Sequence, residues 1–219
     1  MRLVRIYNTL LKHFGKQNWW PMEGGFSPRE WEVCLGAILT QNTNWGNVEK
    51  ALMNLRSNGI LGYRDILKAG EKRLAGLIRP SGYYNQKARK LMELAEFVSG
   101  YGTVDRFLRA VSRHELLGIK GVGKETADSI LLYAAGRAYF VVDAYTRRIF
   151  SRIGLVGHDS DYEEVRSYFE SNLPKDISVY KEFHALIVKL GKEICRKKPL
   201  CGSCPLSDKC SWSRVAISV

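Results

Sequence analysis

The chain has 219 residues, 45% of them hydrophobic, and 34 Lys and Arg against 22 Asp and Glu, a formal net charge of +12. A chain of this length can hide roughly 70% of its unfolded surface, which excludes disorder as a description of the whole. Its apolar runs fall short of the roughly 18 residues that a membrane helix needs, and the start MRLVRIYNTLLKHFGK alternates charge with apolar residues instead of presenting a signal-peptide core. A cytoplasmic protein is expected. The positive excess fits plain solvation, or a polyanionic partner such as nucleic acid or an anionic membrane surface; composition does not choose between them.

In chain order, the patterning is helical almost throughout and shows no convincing strand alternation, so the expected fold class is all-α. Ser27-Pro28-Arg29-Glu30 reads as a capping box with proline at the first helical position. The following run W-E-V-C-L-G-A-I-L is an apolar helix in which Cys34 reads as a small buried hydrophobe. Short helices are then joined by glycine-bearing turns at Gly59, Gly70, Gly82, Gly102, Gly118 to Gly123, Gly136 and Gly154. Ala88, Leu91, Leu94, Ala95 and Val98 line one helix face; Phe183, Leu186, Ile187 and Leu190 line another. Ser160 with Glu163 forms a second capping box. No long linker, internal repeat or low-complexity tract interrupts the chain.

The stretch Leu116-Leu117-Gly118-Ile119-Lys120-Gly121-Val122-Gly123-Lys124-Glu125-Thr126-Ala127 is the most informative. A helix ends, a G-V-G turn follows, and a second helix with Ala127, Ile130, Leu131 and Ala134 inward begins at once. The glycines let backbone approach a ligand, the amides of the new helix face an anion, and Lys120 and Lys124 add charge. Such a grip on phosphate positions a protein on DNA without reading a base. The plain alternative is an ordinary tight turn, but the flanks have the pattern of a helix-hairpin-helix. About twenty residues on, after the apolar run Tyr139 to Val142, stands Asp143 in V-V-D-A-Y-T-R-R-I. It reads either as a helix N-cap or as a functional carboxylate with Arg147 and Arg148 behind it.

The tail after Gly191 is rich in cysteine and lysine and cannot pack a core unaided. Four of the five cysteines fall there as Cys195-x5-Cys201-x2-Cys204-x5-Cys210. In a reducing compartment this clustering favours metal over disulfides. Zinc is the generic choice for four thiolates, yet a single C-x-x-C flanked by lone cysteines suits a [4Fe-4S] cluster better than a two-knuckle zinc ribbon.

Taken together, G-I-K-G-V-G-K-E-T-A, V-V-D and the four-cysteine tail resemble the endonuclease III family of helix-hairpin-helix DNA glycosylases. The likeness runs over nearly the whole chain and extends to Gln41 in A-I-L-T-Q-N-T and to Gly82-Tyr83-Tyr84-Asn85-Gln86-Lys87-Ala88, similar to the family's G-L-Y-N-x-K-A loop. The gap between Cys195 and Cys201 is one residue shorter than is common there. The resemblance implies two helical domains flanking a cleft: 22–135 with the hairpin, and 1–21 plus 136–219 with a [4Fe-4S] loop at 195–210. It implies that Gln41 fills the gap left by an extruded base, and that Tyr83 wedges between base pairs where leucine is frequent. Lys87, Lys120, Gly121, Gly123, Lys124, Thr126 and Arg148 would contact DNA. Asp143 would be catalytic, stabilising charge on the sugar and orienting or deprotonating water.

In members that also cut the DNA backbone, the position of Glu125 holds a lysine that forms a Schiff base, a task glutamate cannot perform. Lys124 is displaced by one helix step, roughly 100 degrees. The implied enzyme is monofunctional and leaves an abasic site, with lyase activity absent or weak. Asn18-Trp19-Trp20-Pro21 and Gln41-Asn42-Thr43-Asn44-Trp45 resemble the 3-methyladenine glycosylase branch, with Trp19, Trp20, Pro21 and Trp45 as the base pocket. Indole faces favour a cationic alkylpurine by up to about 2 kcal/mol when desolvated. Alternatively, Trp19 and Trp20 only pin the N-terminal arm, and Asn42, Thr43 and Asn44 serve a neutral oxidised pyrimidine, uracil or mismatched thymine. A non-catalytic DNA-binding protein would use the same hairpin without needing Asp143. The expected partner is double-stranded DNA holding a damaged base, bound by a monomer without membrane contact, in the cytoplasm or at the nucleoid of a prokaryote.

Overall fold

The computed structural model describes residues 2–20, 22 and 24–216. Among the described residues there are helices and turns and no strand. The α-helices in chain order are α1 (Arg2–Phe14), α2 (Glu30–Leu39), α3 (Trp45–Ser57), α4 (Tyr63–Leu77, kinked at Gly70), α5 (Tyr84–Ser99) and α6 (Val104–Ala110). They continue with α7 (Arg113–Gly118), α8 (Lys124–Ser129), α9 (Ala144–Ile153), α10 (Tyr162–Asn172), α11 (Ile177–Glu193) and α12 (Ser211–Ala216). Among the described residues no helix is long and apolar enough to cross a membrane. The chain divides into two compact units, Trp20–Arg137 and Met1–Trp19 with Ala138–Val219.

In Trp20–Arg137, α2 is the central element. Beyond Glu30 and Glu32 it is apolar on all sides, as a helix must be to sit inside a core, and every residue after Glu30 is buried. The stripe Ala88, Leu91, Leu94, Ala95 and Val98 of α5 is buried as the periodicity requires. The second hairpin helix α8 runs into a π-helical turn, Ile130–Ala134, closed by the bond from Ala135 N to Ile130 O. Buried Glu32 of α2 accepts from Gly24 N at 2.9 Å and so anchors the segment after the tryptophan pair.

In the other unit, Phe140, Phe150, Phe169, Tyr180 and Phe183 interlock, with ring centroids 4.2 Å apart for Phe140 and Phe169 and 4.7 Å for Phe150 and Phe169. Such pairs add about 0.5–1.5 kcal/mol each beyond their buried area. Leu3, Ile6 and Leu10 of α1 are buried in this unit. At Gly191 any Cβ would stand 2.3 Å from the Tyr145 ring, so a glycine is what lets α9 lie against α11.

Two helix starts differ from the sequence expectation. α2 begins at Glu30 with Arg29 as a cap that makes no side-chain bond, while the Ser27–Pro28 bond is cis and Ser27 N bonds to Leu61 O. The box assigned to Ser160 and Glu163 is shifted by one: Asp161 and Glu164 make the reciprocal bonds.

Candidate active site

Phe140, Val141 and Val142 are buried, and Asp143 follows as the N-cap of α9. Its Oδ1 accepts from Thr146 N at 2.7 Å and from Thr146 Oγ1 at 2.8 Å. Its Oδ2 faces His184 Nε2 of α11 at 3.7 Å, an ion-pair distance too long for a hydrogen bond. Trp19 stacks on that histidine with centroids 5.4 Å apart and 27° between the planes. The arm carrying Trp19 is held by Glu182 of the same helix, which accepts from Gln17 N at 2.6 Å and Asn18 N at 3.4 Å. Burial pushes the Asp143 carboxyl up, but His184 and the Thr146 donors outweigh it and hold the group below the ordinary aspartate value. N-cap and functional readings of Asp143 are thus compatible, because the cap uses one oxygen only.

The same helix braces the cysteine tail. Arg148 donates to Cys195 O at 2.9 and 3.1 Å and to Gly191 O at 3.0 Å, over the Tyr145 ring, so its guanidinium is committed to the protein rather than held out as the expected DNA contact. Arg152 donates to Arg196 O, Lys197 O and Cys195 Sγ. Cys195, Cys201, Cys204 and Cys210 are all half-buried, and burial, reinforced by the other three thiols, raises the Cys204 thiol above its ordinary value. Among the described residues no group of three or more His, Cys, Asp or Glu side chains stands ready to hold a single metal ion.

In Trp20–Arg137 the hairpin joins α7 and α8 through Ile119 and Val122, both buried, with Lys120, Gly123, Lys124 and Glu125 exposed. Its helices are locked by Arg113, whose Nε and Nη2 reach the fully buried Asp128 at 2.6 and 3.1 Å. Gly121 has φ +90°, and a Cβ there would meet Lys90 Cγ at 2.4 Å, so this glycine makes room for the protein's own lysine as well as for the turn. Gln41 folds onto the hairpin: its Nε2 donates to Thr126 Oγ1 at 3.0 Å and Gly121 O at 3.3 Å, and its Oε1 accepts from Lys90 Nζ. Thr126 is therefore a buried partner of Gln41 and not a surface contact to phosphate.

Tyr83, 64% exposed, caps α5 in the left-handed conformation at φ 46°. Lys87, one turn later, is also corrected: it is 2% exposed and its Nζ donates to Leu39 O at 2.8 Å and Ser81 O at 2.6 Å, so it cannot be a DNA contact. Burial and the charge of Lys90 lower its pKa to about 8.

Trp20, Trp45 and Tyr133 form one aromatic cluster, with centroids 5.2 Å apart for the tryptophans and 5.0 Å for Trp20 and Tyr133. Gly36 is its floor, since a Cβ there would lie 3.2 Å from Trp20 and 3.5 Å from Trp45. Tyr133 rides on the π-helical turn and was not anticipated. Pro21 lies outside the described residues. Thr43 Oγ1 accepts from Asn47 Nδ2 and Asn44 Oδ1 from Asn47 N, so both side chains secure the start of α3.

Residues 35–175 match the HhH-GPD superfamily of base excision DNA repair proteins. A protein of Methanocaldococcus jannaschii, named as a candidate DNA repair glycosylase, is 50% identical over 214 residues, 95% of each chain. Endonuclease III of Thermotoga maritima is 31% identical over 188 residues, 83% of each chain. The crystal structure of Helicobacter pylori 3-methyladenine DNA glycosylase bound to 1,N6-ethenoadenine superposes with a TM-score of 0.76 at 31% identity, covering 88% of this chain and 96% of that one. The chain therefore belongs to the HhH-GPD superfamily as an endonuclease III-like DNA glycosylase.

Proposed function

We propose that the protein is a monofunctional glycosylase that removes an alkylated purine such as 3-methyladenine from double-stranded DNA and leaves an abasic site. The observation that carries the reading is Asp143: a buried carboxylate held ionised, with Oδ1 engaged by Thr146 and Oδ2 turned to His184. As the bond from C1′ to the base nitrogen lengthens, the departing base takes the bonding pair and the sugar becomes positive. Asp143 stabilises that charge and accepts the proton of the water whose oxygen bonds to C1′. A cationic alkylpurine leaves as a neutral molecule and needs little acid assistance. Glu125 stands where a lyase would have its amine, so water remains the nucleophile.

Tyr83 and Gln41 enter the stack as wedge and plug, and offset part of the few kcal/mol, roughly, lost on extruding the base. Lys120, Lys124 and the amides of Gly121 and Gly123 hold a phosphate at the hairpin. The aromatic rings of Trp20 and Trp45 suit a cationic purine. Thr43 Oγ1 and Asn44 Oδ1 accept from Asn47 at the start of α3, so two of the three polar side chains a neutral pyrimidine pocket would draw on each have an acceptor engaged there.

Cys195, Cys201, Cys204 and Cys210 fit a [4Fe-4S] cluster: the donor set is all thiol, and three of the four thiols act electrostatically on Cys204. When bound, the cluster supplies a staple for a tail that has little core of its own. Cys204→Ser is expected to abolish the broad visible absorption and the iron content and to lower the unfolding temperature; zinc without iron in the purified protein contradicts the assignment. The substrate is tested with duplexes that each hold one lesion. Methylated purines are expected to be released, and release from uracil, mismatched thymine or oxidised pyrimidine duplexes with none from alkylpurines would overturn the reading.

A further inference from the structure

Lys87 is a buried cation whose position the excision chemistry does not explain. Its ammonium bonds two carbonyls, Leu39 O and Ser81 O, at 2.8 and 2.6 Å. Leu39 ends α2 and stands two residues before Gln41; Ser81 ends the 3-10 turn Arg79–Ser81 and stands two residues before Tyr83. One side chain therefore ties together the two backbone segments that carry the plug and the wedge.

Both segments need such support. The Leu39 carbonyl lies in the last turn of α2, where helix carbonyls lack an intrahelical donor and the helix end is negative. Tyr83 adopts φ 46°, ψ 31°, a left-handed backbone that costs a non-glycine residue about 1–2 kcal/mol, and it follows Gly82 at φ 68°. Ser81 is wholly buried with its Oγ on Ile78 O, so the turn is fixed by hydrogen bonds rather than by apolar packing of Tyr83 itself. Gln41 is in turn fixed at its tip by Lys90 and Thr126.

We propose that Lys87 is a positioning residue that clamps the Tyr83 loop to the Gln41 turn, so that wedge and plug enter the DNA as one preformed unit. This inference rests on the wedge role proposed for Tyr83. The clamp works without touching DNA: losing it slows extrusion of the base, whereas losing a phosphate contact weakens binding and lowers the salt slope by about one.

The test is a double-mutant cycle on the full protein, with 2-aminopurine beside a tetrahydrofuran abasic analogue reporting unstacking in stopped flow. Thermal unfolding checks that each variant is folded. Lys87→Met is expected to slow the fluorescence rise about tenfold in the wild-type background and less than about twofold in Tyr83→Ala, because contacts that act through one another are non-additive. The salt slope of binding is expected to stay unchanged. Equal loss in both backgrounds marks a merely structural lysine and overturns the clamp, as does no loss or a slope reduced by one. A fluorescence rise that Tyr83→Ala leaves intact removes the wedge reading and the clamp with it; one that depends on Tyr83 but not on Lys87 removes the clamp alone. Should Lys87→Met not fold, Lys87→Gln, which keeps two N–H donors without the charge, is read against the same outcomes.

Discussion

Each unit buries an aspartate, and the two are satisfied differently. Asp128, in the hairpin helix, has both oxygens taken by the forked guanidinium of Arg113 at 2.6 and 3.1 Å. Asp143, at the start of α9, has two donors from Thr146 on one oxygen, while the other meets His184 only at 3.7 Å. A carboxylate closed on both sides holds helices together; one closed on a single side keeps an acceptor for a water or a cationic sugar. The difference suits Asp128 to holding the hairpin together and Asp143 to the chemistry proposed for the α9 cap.

The strongest way to break this contrast is to exchange the two carboxylates' roles by mutation. Asp143→Asn is expected to lower single-turnover base release by about 10²–10⁴-fold, the range of a lost general base. Asparagine caps a helix as well as aspartate does, so folding and DNA affinity should persist. Retained turnover would show that the open oxygen does no chemistry. Arg113→Ala is expected to do the reverse. Taking the guanidinium from buried Asp128 should cost about 3–5 kcal/mol in urea unfolding, with turnover per folded molecule kept.

A finer test is the pH profile. Because the folded pKa of Asp143 is depressed, its contribution to stability is complete above the unfolded value of about 3.9 and is lost only as pH falls through the lower folded value. Base release should therefore persist into acid. His184→Phe removes a main opposing influence and leaves burial dominant, so the acid limb of kcat/KM should move to higher pH; an unmoved limb would mean that His184 does not act on Asp143. The smallest expected effect concerns Lys87. Burial and the charge of Lys90 lower its pKa from 10.5 to about 8, so the unfolded chain binds more protons between these values and stability rises with pH there. Lys87→Met should flatten that rise, measured by urea midpoints across the interval.

Much of this is legible in the sequence. The apolar stripes of α5 and α11 follow from 3.6-residue periodicity, and the hairpin from its glycines and flanks. What was missed lay on the same stripes. Lys87 shares a face with Leu91, Leu94 and Val98, and His184 with Ile187 and Val188. A polar residue on an apolar face is the sequence signal that would have marked both as buried. Thr126 was read from its motif as a surface contact, although its partner Gln41 lies 85 residues away and no local pattern reports such a bond. The helix starts failed for a different reason: Ser160 and Asp161 each have an acid three residues on, and local spacing alone cannot rank two overlapping boxes.

The proposed reaction is hydrolysis by water at Asp143 with no amine at position 125. Borohydride trapping on a duplex from which the protein releases the base tests this most directly. The expected result is an abasic product with an intact strand and no covalent protein–DNA complex. A trapped complex that disappears in Lys124→Ala would contradict it and make the enzyme a lyase.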